Sequence, residues 1–179
     1  MNDGLIPSRY AKALFKYAVE LGKDKEVYKQ MSQLATSFEQ TKTLQSAVEN
    51  PYLSHKDKSE LLLVASGAKK GGCVDKFITL TIENNRVSFI RGMALAFQSI
   101  YRKQNSIVKV VVTTAVKIDK ALGEKIAQIA KQSTDAKTIE YEYQVNPELI
   151  GGFKVEIEGK LLDASVKNEL EKLRLKLLS

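Results

Sequence analysis

Two side chains of this chain are of types suited to nucleophilic or general-base chemistry near neutral pH: its one histidine, His55, and its one cysteine, Cys73. Neither has a catalytic partner in its surroundings. His55 lies among Lys56, Asp57 and Lys58 at an expected helix start, which reads as a solvated surface position. Cys73 follows Gly72 at another helix start, where a thiol pKa can fall, but no histidine neighbours it and an idle thiol is the simpler reading. A lone cysteine forms no internal disulfide and no cysteine-based metal framework. The patterns HExxH and GxSxG and paired cysteines are absent from the sequence. Gly67-Ala68-Lys69-Lys70-Gly71-Gly72 brings glycine and lysine together as a phosphate loop would. It lacks the GxxxxGK[ST] order, however, and follows a helix rather than a strand, so it reads as an interhelical loop. These residues predict neither catalysis nor a bound cofactor or metal.

The elements that must position any other site fall into two stretches. The chain has 179 residues, enough to bury a core without a metal or disulfide staple. Its 44% hydrophobic and 27% charged content excludes collagen-like, mucin-like and disordered classes. No apolar run approaches the roughly 18 residues that span a bilayer. The first residues, Met1-Asn2-Asp3-Gly4, do not resemble a secretory or transit segment, so a cytoplasmic protein, or a mature form already trimmed, is expected. Residues 1–105 carry 16 basic and 10 acidic side chains and read as helix throughout. Residues 106–179 carry 12 basic and 11 acidic side chains and open on the β-branched run Ile107 to Thr114. The expected architecture is an N-terminal all-α six-helix bundle over 1–105 and a small α+β domain over 106–179.

Punctuation places the helices. Pro7 suits a first turn, and Gly22 ends a helix that runs to about Leu21. The next spans about Lys25 to Thr41, and a short one, Thr43 to Glu49, stops before Asn50-Pro51. Ser54 with Asp57 three residues on is a variant capping box for a helix to Ser66. Helices at Val74 to Glu83 and Ser88 to Lys103 follow, joined at Asn84-Asn85. The second stretch reads strand, helix, strand, strand, helix. Its strands are Ile107 to Lys117, Thr138 to Val145 and Phe153 to Ile157; its helices are Asp119 to about Gln132 and Val166 to Leu178. Pro147, Gly151, Gly152 and Gly159 punctuate it, and a hairpin or bulge at Gly151-Gly152 is expected between the second and third strands.

One pattern exceeds what an outer bundle helix needs. In the first helix Ala11, Leu14, Ala18 and Leu21 form an apolar stripe, and Tyr10, Ala13 and Tyr17, led by Ile6, form a second beside it. The fifth helix is similar, with Val74, Ile78 and Thr81 beside Phe77 and Leu80. Both second stripes can be filled by the bundle's own core, which periodicity by itself favours. Alternatively, the two helices side by side leave a shallow groove for a partner helix. The net charge of +7 raises nucleic acid as a partner, giving a basic helical nucleic-acid-binding module as the alternative function. Yet the lysines are spread over every helix, without an arginine cluster or aromatic-interleaved strand.

The segment Asn146-Pro147-Glu148-Leu149-Ile150-Gly151-Gly152-Phe153, continuing through Gly159-Lys160-Leu161-Leu162-Asp163-Ala164-Ser165-Val166, resembles the signature of the delta subunit family of F-type ATP synthases, whose mitochondrial counterpart is the oligomycin-sensitivity-conferring protein. Arg9-Tyr10-Ala11-Lys12-Ala13-Leu14-Phe15 resembles that family's first helix, and Glu83-Asn84-Asn85-Arg86 its turn between the fifth and sixth. The resemblance covers the whole chain. It implies a non-catalytic stator subunit without cofactors, one copy per complex, peripheral on the cytoplasmic face of a bacterial membrane. It also implies that the N-terminal bundle binds the N-terminal helices of the alpha subunits on the catalytic head, one of them in a groove using Tyr10, Ala13, Tyr17, Phe77 and Leu80. The C-terminal domain would engage the b subunits of the peripheral stalk, with Leu170, Leu173 and Leu177 of the last helix as the expected contacts.

Overall fold

The computed structural model describes residues 4–115, 138–157 and 160–178. The helix expected from Asp119 to Gln132 lies outside the described residues, as do Gly159 and the side chain of Leu177. The chain divides into two compact units, Met1–Tyr101 and Arg102–Ser179. The division falls within the last helix of the first unit rather than at the expected 105/106.

The first unit contains α1 (Leu5–Glu20), α2 (Asp24–Gln40), α3 (Thr43–Glu49), α4 (His55–Ser66), α5 (Cys73–Glu83), a 3₁₀ turn (Val87–Phe89) and α6 (Ile90–Gln104). Their ends follow the punctuation of the sequence. The Ser54 hydroxyl accepts from the Asp57 amide at 3.2 Å and donates to the Asp57 carboxylate at 2.7 Å, so two polar groups at the start of α4 satisfy each other. α4 ends at Gly67 in a left-handed conformation, and the Ala68 amide closes back on the Leu63 carbonyl at 3.2 Å. The sixth helix starts later than expected, because Val87 to Phe89 form the 3₁₀ turn first.

Met31, Leu34, Leu62, Ile78, Ile90 and Phe97 are fully buried and centre the core of this unit. Burial of each side chain is worth about 1.5–3 kcal/mol before entropy is charged against it. α1 contributes Ala11, Leu14 and Ala18 as expected. Leu21, expected on the same stripe, is 49% exposed. It is the residue that closes the helix, and the chain turns at Gly22 before the helical spacing can bring it inward.

The second unit is built on β1 (Ile107–Thr114), β2 (Thr138–Val145), β3 (Gly152–Ile157) and β4 (Lys160–Ser165), followed by α7 (Val166–Leu178). The sheet order is β2-β1-β3-β4. β1 pairs with β2 in parallel, Val110 opposite Tyr141, and with β3 antiparallel, Val112 opposite Val155. β3 pairs antiparallel with β4, Val155 opposite Leu162. One face of β1 and β3 supplies Val108, Val110, Val112, Val155 and Ile157 to a buried cluster, with Ile139, Tyr141 and Phe153 packed against it. The other face carries two ion pairs, Lys109 with Glu142 at 2.5 Å and Lys154 with Asp163 at 2.8 Å.

Two expectations for this unit are corrected. The expected hairpin between Thr138–Val145 and Phe153–Ile157 does not exist, because β1 lies between those strands. Pro147 and Gly151 therefore belong to a connection that passes β1, Gly152 opens β3, and the antiparallel neighbours β3 and β4 form the hairpin. The strand β4 was not expected: its adjacent leucines Leu161 and Leu162 break the alternation that marks a half-buried strand.

Candidate functional site

α1 and α5 lie side by side and leave a groove of about 240 Å³ between them, lined by Tyr10, Ala13, Leu14, Tyr17, Cys73, Lys76, Phe77 and Leu80. Helical spacing explains the set. Tyr10, Ala13 and Tyr17 recur at intervals of three and four on α1, as Cys73, Lys76, Phe77 and Leu80 do on α5. The structure thus brings all five expected groove residues to one place. Leu14 and Phe77 form its base, and Phe77 is only 6% exposed. The Tyr10 ring meets the Phe77 ring edge-on, with centroids 6.4 Å apart and planes at 71°. Leu80 stands on the rim, 48% exposed, and Ala13 opposite presents only a methyl group.

The groove is smaller than the roughly 300–1,000 Å³ of sites that enclose a drug-sized ligand. It is open and apolar, a shape that accepts a few side chains projecting from another helix. Leu14, Cys73 and Lys76 were not among the expected residues. Leu14 was assigned to the core stripe and serves both. Cys73 is buried against the groove wall. Lys76 could have been found from its spacing alone, one turn before Leu80 and one after Cys73.

The glycine–lysine loop has a structural part. The Asp75 carboxylate, in the first turn of α5, accepts from the Gly71 amide at 2.6 Å and so fixes the loop against the helix it starts. Lys69 and Lys70 are exposed, and His55 is an exposed residue of the first turn of α4. Among the described residues no three His, Cys, Asp or Glu side chains gather as a metal site, and no helix is long and apolar enough to cross a membrane.

In the second unit the signature residues meet at one corner. The Asn146 side chain accepts from the Glu148 amide at 3.0 Å, and Pro147 opens a 3₁₀ turn that buries Leu149. Gly152 has φ +75° and lies opposite Ser165, where any side chain would run into the Ala164 carbonyl. The Gly151 carbonyl accepts from the Val166 amide at 3.1 Å, which ties this connection to the start of α7. One Asp163 carboxylate oxygen accepts from the Ser165 amide at 3.0 Å and hydroxyl at 2.6 Å. The Ser165 hydroxyl in turn accepts from the Asn168 amide at 3.3 Å, an N-cap for α7. The Lys154 ammonium, followed by these Ser165 contacts, holds the Asp163 carboxyl down at a pKa of about 2. On the same sheet face, hydrogen bonds from Lys109 and then Gln144 lower Glu142. Leu170 and Leu173 of α7 are each 55% exposed.

Comparison with known proteins places this architecture. Residues 6–177 match the family model for the ATP synthase delta (OSCP) subunit. ATP synthase subunit delta of Parabacteroides distasonis is 36% identical over 178 residues, covering 99% of this chain and 98% of the relative. That of Bacteroides fragilis is 35% identical over 176 residues, covering 97% and 94%. The fold also matches a chain in the solved Toxoplasma gondii mitochondrial ATP synthase hexamer, with a TM-score of 0.73 over 97% of both chains at 22% identity. The chain belongs to the ATP synthase delta (OSCP) subunit family. It is a non-catalytic component of the stator of an F-type ATP synthase. The nucleic-acid alternative gains no support from these relatives.

Proposed function

We propose that the first unit is a six-helix bundle that docks on the catalytic head, taking the amphipathic N-terminal helix of one alpha subunit into the groove between α1 and α5. The second unit holds the b subunits of the peripheral stalk, through the face of α7 that carries Leu170, Leu173 and Leu177. One copy serves each complex, on the cytoplasmic face of the membrane. The observation that carries the reading is the groove itself: two helices leave apolar side chains beyond those their own core uses, and these converge from both sides on one open cleft.

The mechanical argument supports this chemistry. A rotor turning inside the head exerts torque on it, and only a static link to the membrane-embedded stator keeps ion flow coupled to ATP synthesis. Apolar anchors excluded from water suit such a link, since salt screens a purely ionic surface contact. Titration of the full chain with a synthetic peptide of the alpha-subunit N-terminus tests the groove. Binding at one site is expected, surviving high salt and lost in Tyr17→Asp and Leu80→Asp while helicity is unchanged. Wild-type affinity in both variants would place the docking surface elsewhere. For the stalk, Leu170→Asp with Leu173→Asp should release the b subunits and leave peptide binding intact; retained b binding would remove α7 from that contact.

A further inference from the structure

Among the described residues that line the groove, Lys76 is the one charged side chain. Its ammonium donates to the Tyr17 hydroxyl at 3.3 Å and lies 6.0 Å from the centroid of the Tyr17 ring. A hydroxyl and a ring face position the ammonium without offering it a carboxylate. No described carboxylate comes within ion-pair distance of Lys76. Residues 1–105 as a whole carry an excess of six positive charges.

We infer that Lys76, positioned by Tyr17, sets the specificity of the groove for an amphipathic helix carrying a carboxylate on the flank of its apolar stripe. The inference rests on the groove being a helix-docking site, and it adds which helix the groove selects. Apolar contacts with Leu14, Phe77 and Leu80 do not distinguish one amphipathic helix from another, nor fix its direction. A single cation on one rim does both. A helix laid in with its acidic flank toward Lys76 gains a charge-assisted hydrogen bond in a site partly cleared of water. The same helix reversed carries its carboxylate away from Lys76 and forgoes that bond, and a helix with a lysine there sets one positive charge against another. Tyr17 limits the positions Lys76 can take and so reduces the entropy lost when the pair forms.

The test is calorimetric titration of the full chain with two peptides: the natural alpha-subunit N-terminal segment, and the same segment with its Asp and Glu residues changed to Asn and Gln. Both bind wild-type protein, the natural one more tightly by about three- to tenfold at low salt, and the gap narrows as salt rises. Lys76→Met, at an exposed position, binds both peptides alike, at about the wild-type affinity for the amide version. Lys76→Glu reverses the preference. Equal binding of both peptides by wild-type protein overturns the inference while leaving the groove in place. So does a natural segment with no carboxylate beside its stripe, or an unchanged preference in Lys76→Met. Binding of neither peptide by wild-type protein overturns the groove reading, and this inference with it.

Discussion

The groove between α1 and α5 and the corner where β3, β4 and α7 meet are built on opposite principles. The groove has almost no hydrogen bonds across it beyond Lys76 to Tyr17, and its walls are side chains that a helical bundle can carry outward at little cost. The corner is a closed set of polar contacts: Gly151 to Val166, Asp163 to Ser165, Ser165 to Asn168, Lys154 to Asp163. The corner holds the residues by which the sequence is identified, yet each is engaged in building the fold. The groove uses tyrosine, alanine, phenylalanine and leucine, which any bundle contains. The long C-terminal signature is therefore spent on building the fold, whereas the shorter N-terminal one, Arg9 to Phe15, places Tyr10, Ala13 and Leu14 in the groove.

If that division is right, a substitution at the corner removes stability without touching the groove. The largest effect is expected from Gly152→Val. The left-handed backbone and the nearness of the Ala164 carbonyl and of Ser165 Cα, 3.0 Å from an added Cβ, leave the side chain no place. A loss of about 3 kcal/mol is expected from strain and overpacking together. Urea denaturation followed by the amide signals of β3 and β4 measures it, while the alpha-subunit peptide still binds. Loss of peptide binding in this variant would break the division between the two regions.

Leu80→Asp is the converse. It places a charge on the groove rim at a half-exposed position, so the bundle keeps its melting temperature within a few degrees. Peptide affinity falls by about tenfold or more, because the docked helix would bury an unpaired carboxylate against its apolar stripe. A large drop in melting temperature would show that Leu80 belongs to the core after all.

How much of this was legible beforehand depends on the range of the interactions. Helices are written in local periodicity, and Ser54 with Asp57 or the stop at Asn50-Pro51 fixes an end within a residue or two. The second stripe of α1 was visible for the same reason. The strand order was not legible. Nothing in Thr138–Val145 says that its neighbour is Ile107–Thr114 rather than Gly152–Ile157, because that pairing depends on contacts far apart in the chain. β4 was lost because an edge strand with adjacent leucines has no alternation to read. The spacing of Lys76 from Cys73 and Leu80 already puts it on the groove side of α5, although a lysine between apolar residues ordinarily reads as a solvated position; its contact with Tyr17 across the groove shows only in the structure.

A smaller effect separates the two roles of Ser165. Its hydroxyl caps α7 and also ties Asp163 into place. Ser165→Ala should cost about 1 kcal/mol, the ordinary value of an N-cap, and protection of the first turn of α7 from hydrogen exchange should fall. Ser165→Asp keeps a capping acceptor but sets a second carboxylate against Asp163. If the alanine variant is as stable as wild type, the cap does not hold the helix to the sheet.

The smallest effect is confined to acid. The folded Asp163 carboxyl, held by Lys154 and Ser165, titrates at about 2, below its ordinary value of 3.8. A lowered folded pKa means that the unfolded chain binds the proton first. The stabilisation is therefore complete above the unfolded value and is lost as pH falls from there through about 2. Glu142, lowered by Lys109, adds a contribution of the same sign. Asp163→Asn removes the Asp163 part and leaves the rest, so the stability difference between variant and wild type should shrink as pH falls through that window. Hydrogen exchange at β3 and β4 from pH 5 to pH 2 reads the difference, and a gap that stays constant over the window would mean that Lys154 does not hold the carboxylate. The same series recorded on the amides of α1 and α5 should show no difference between variant and wild type, because no group of the groove takes part in that titration.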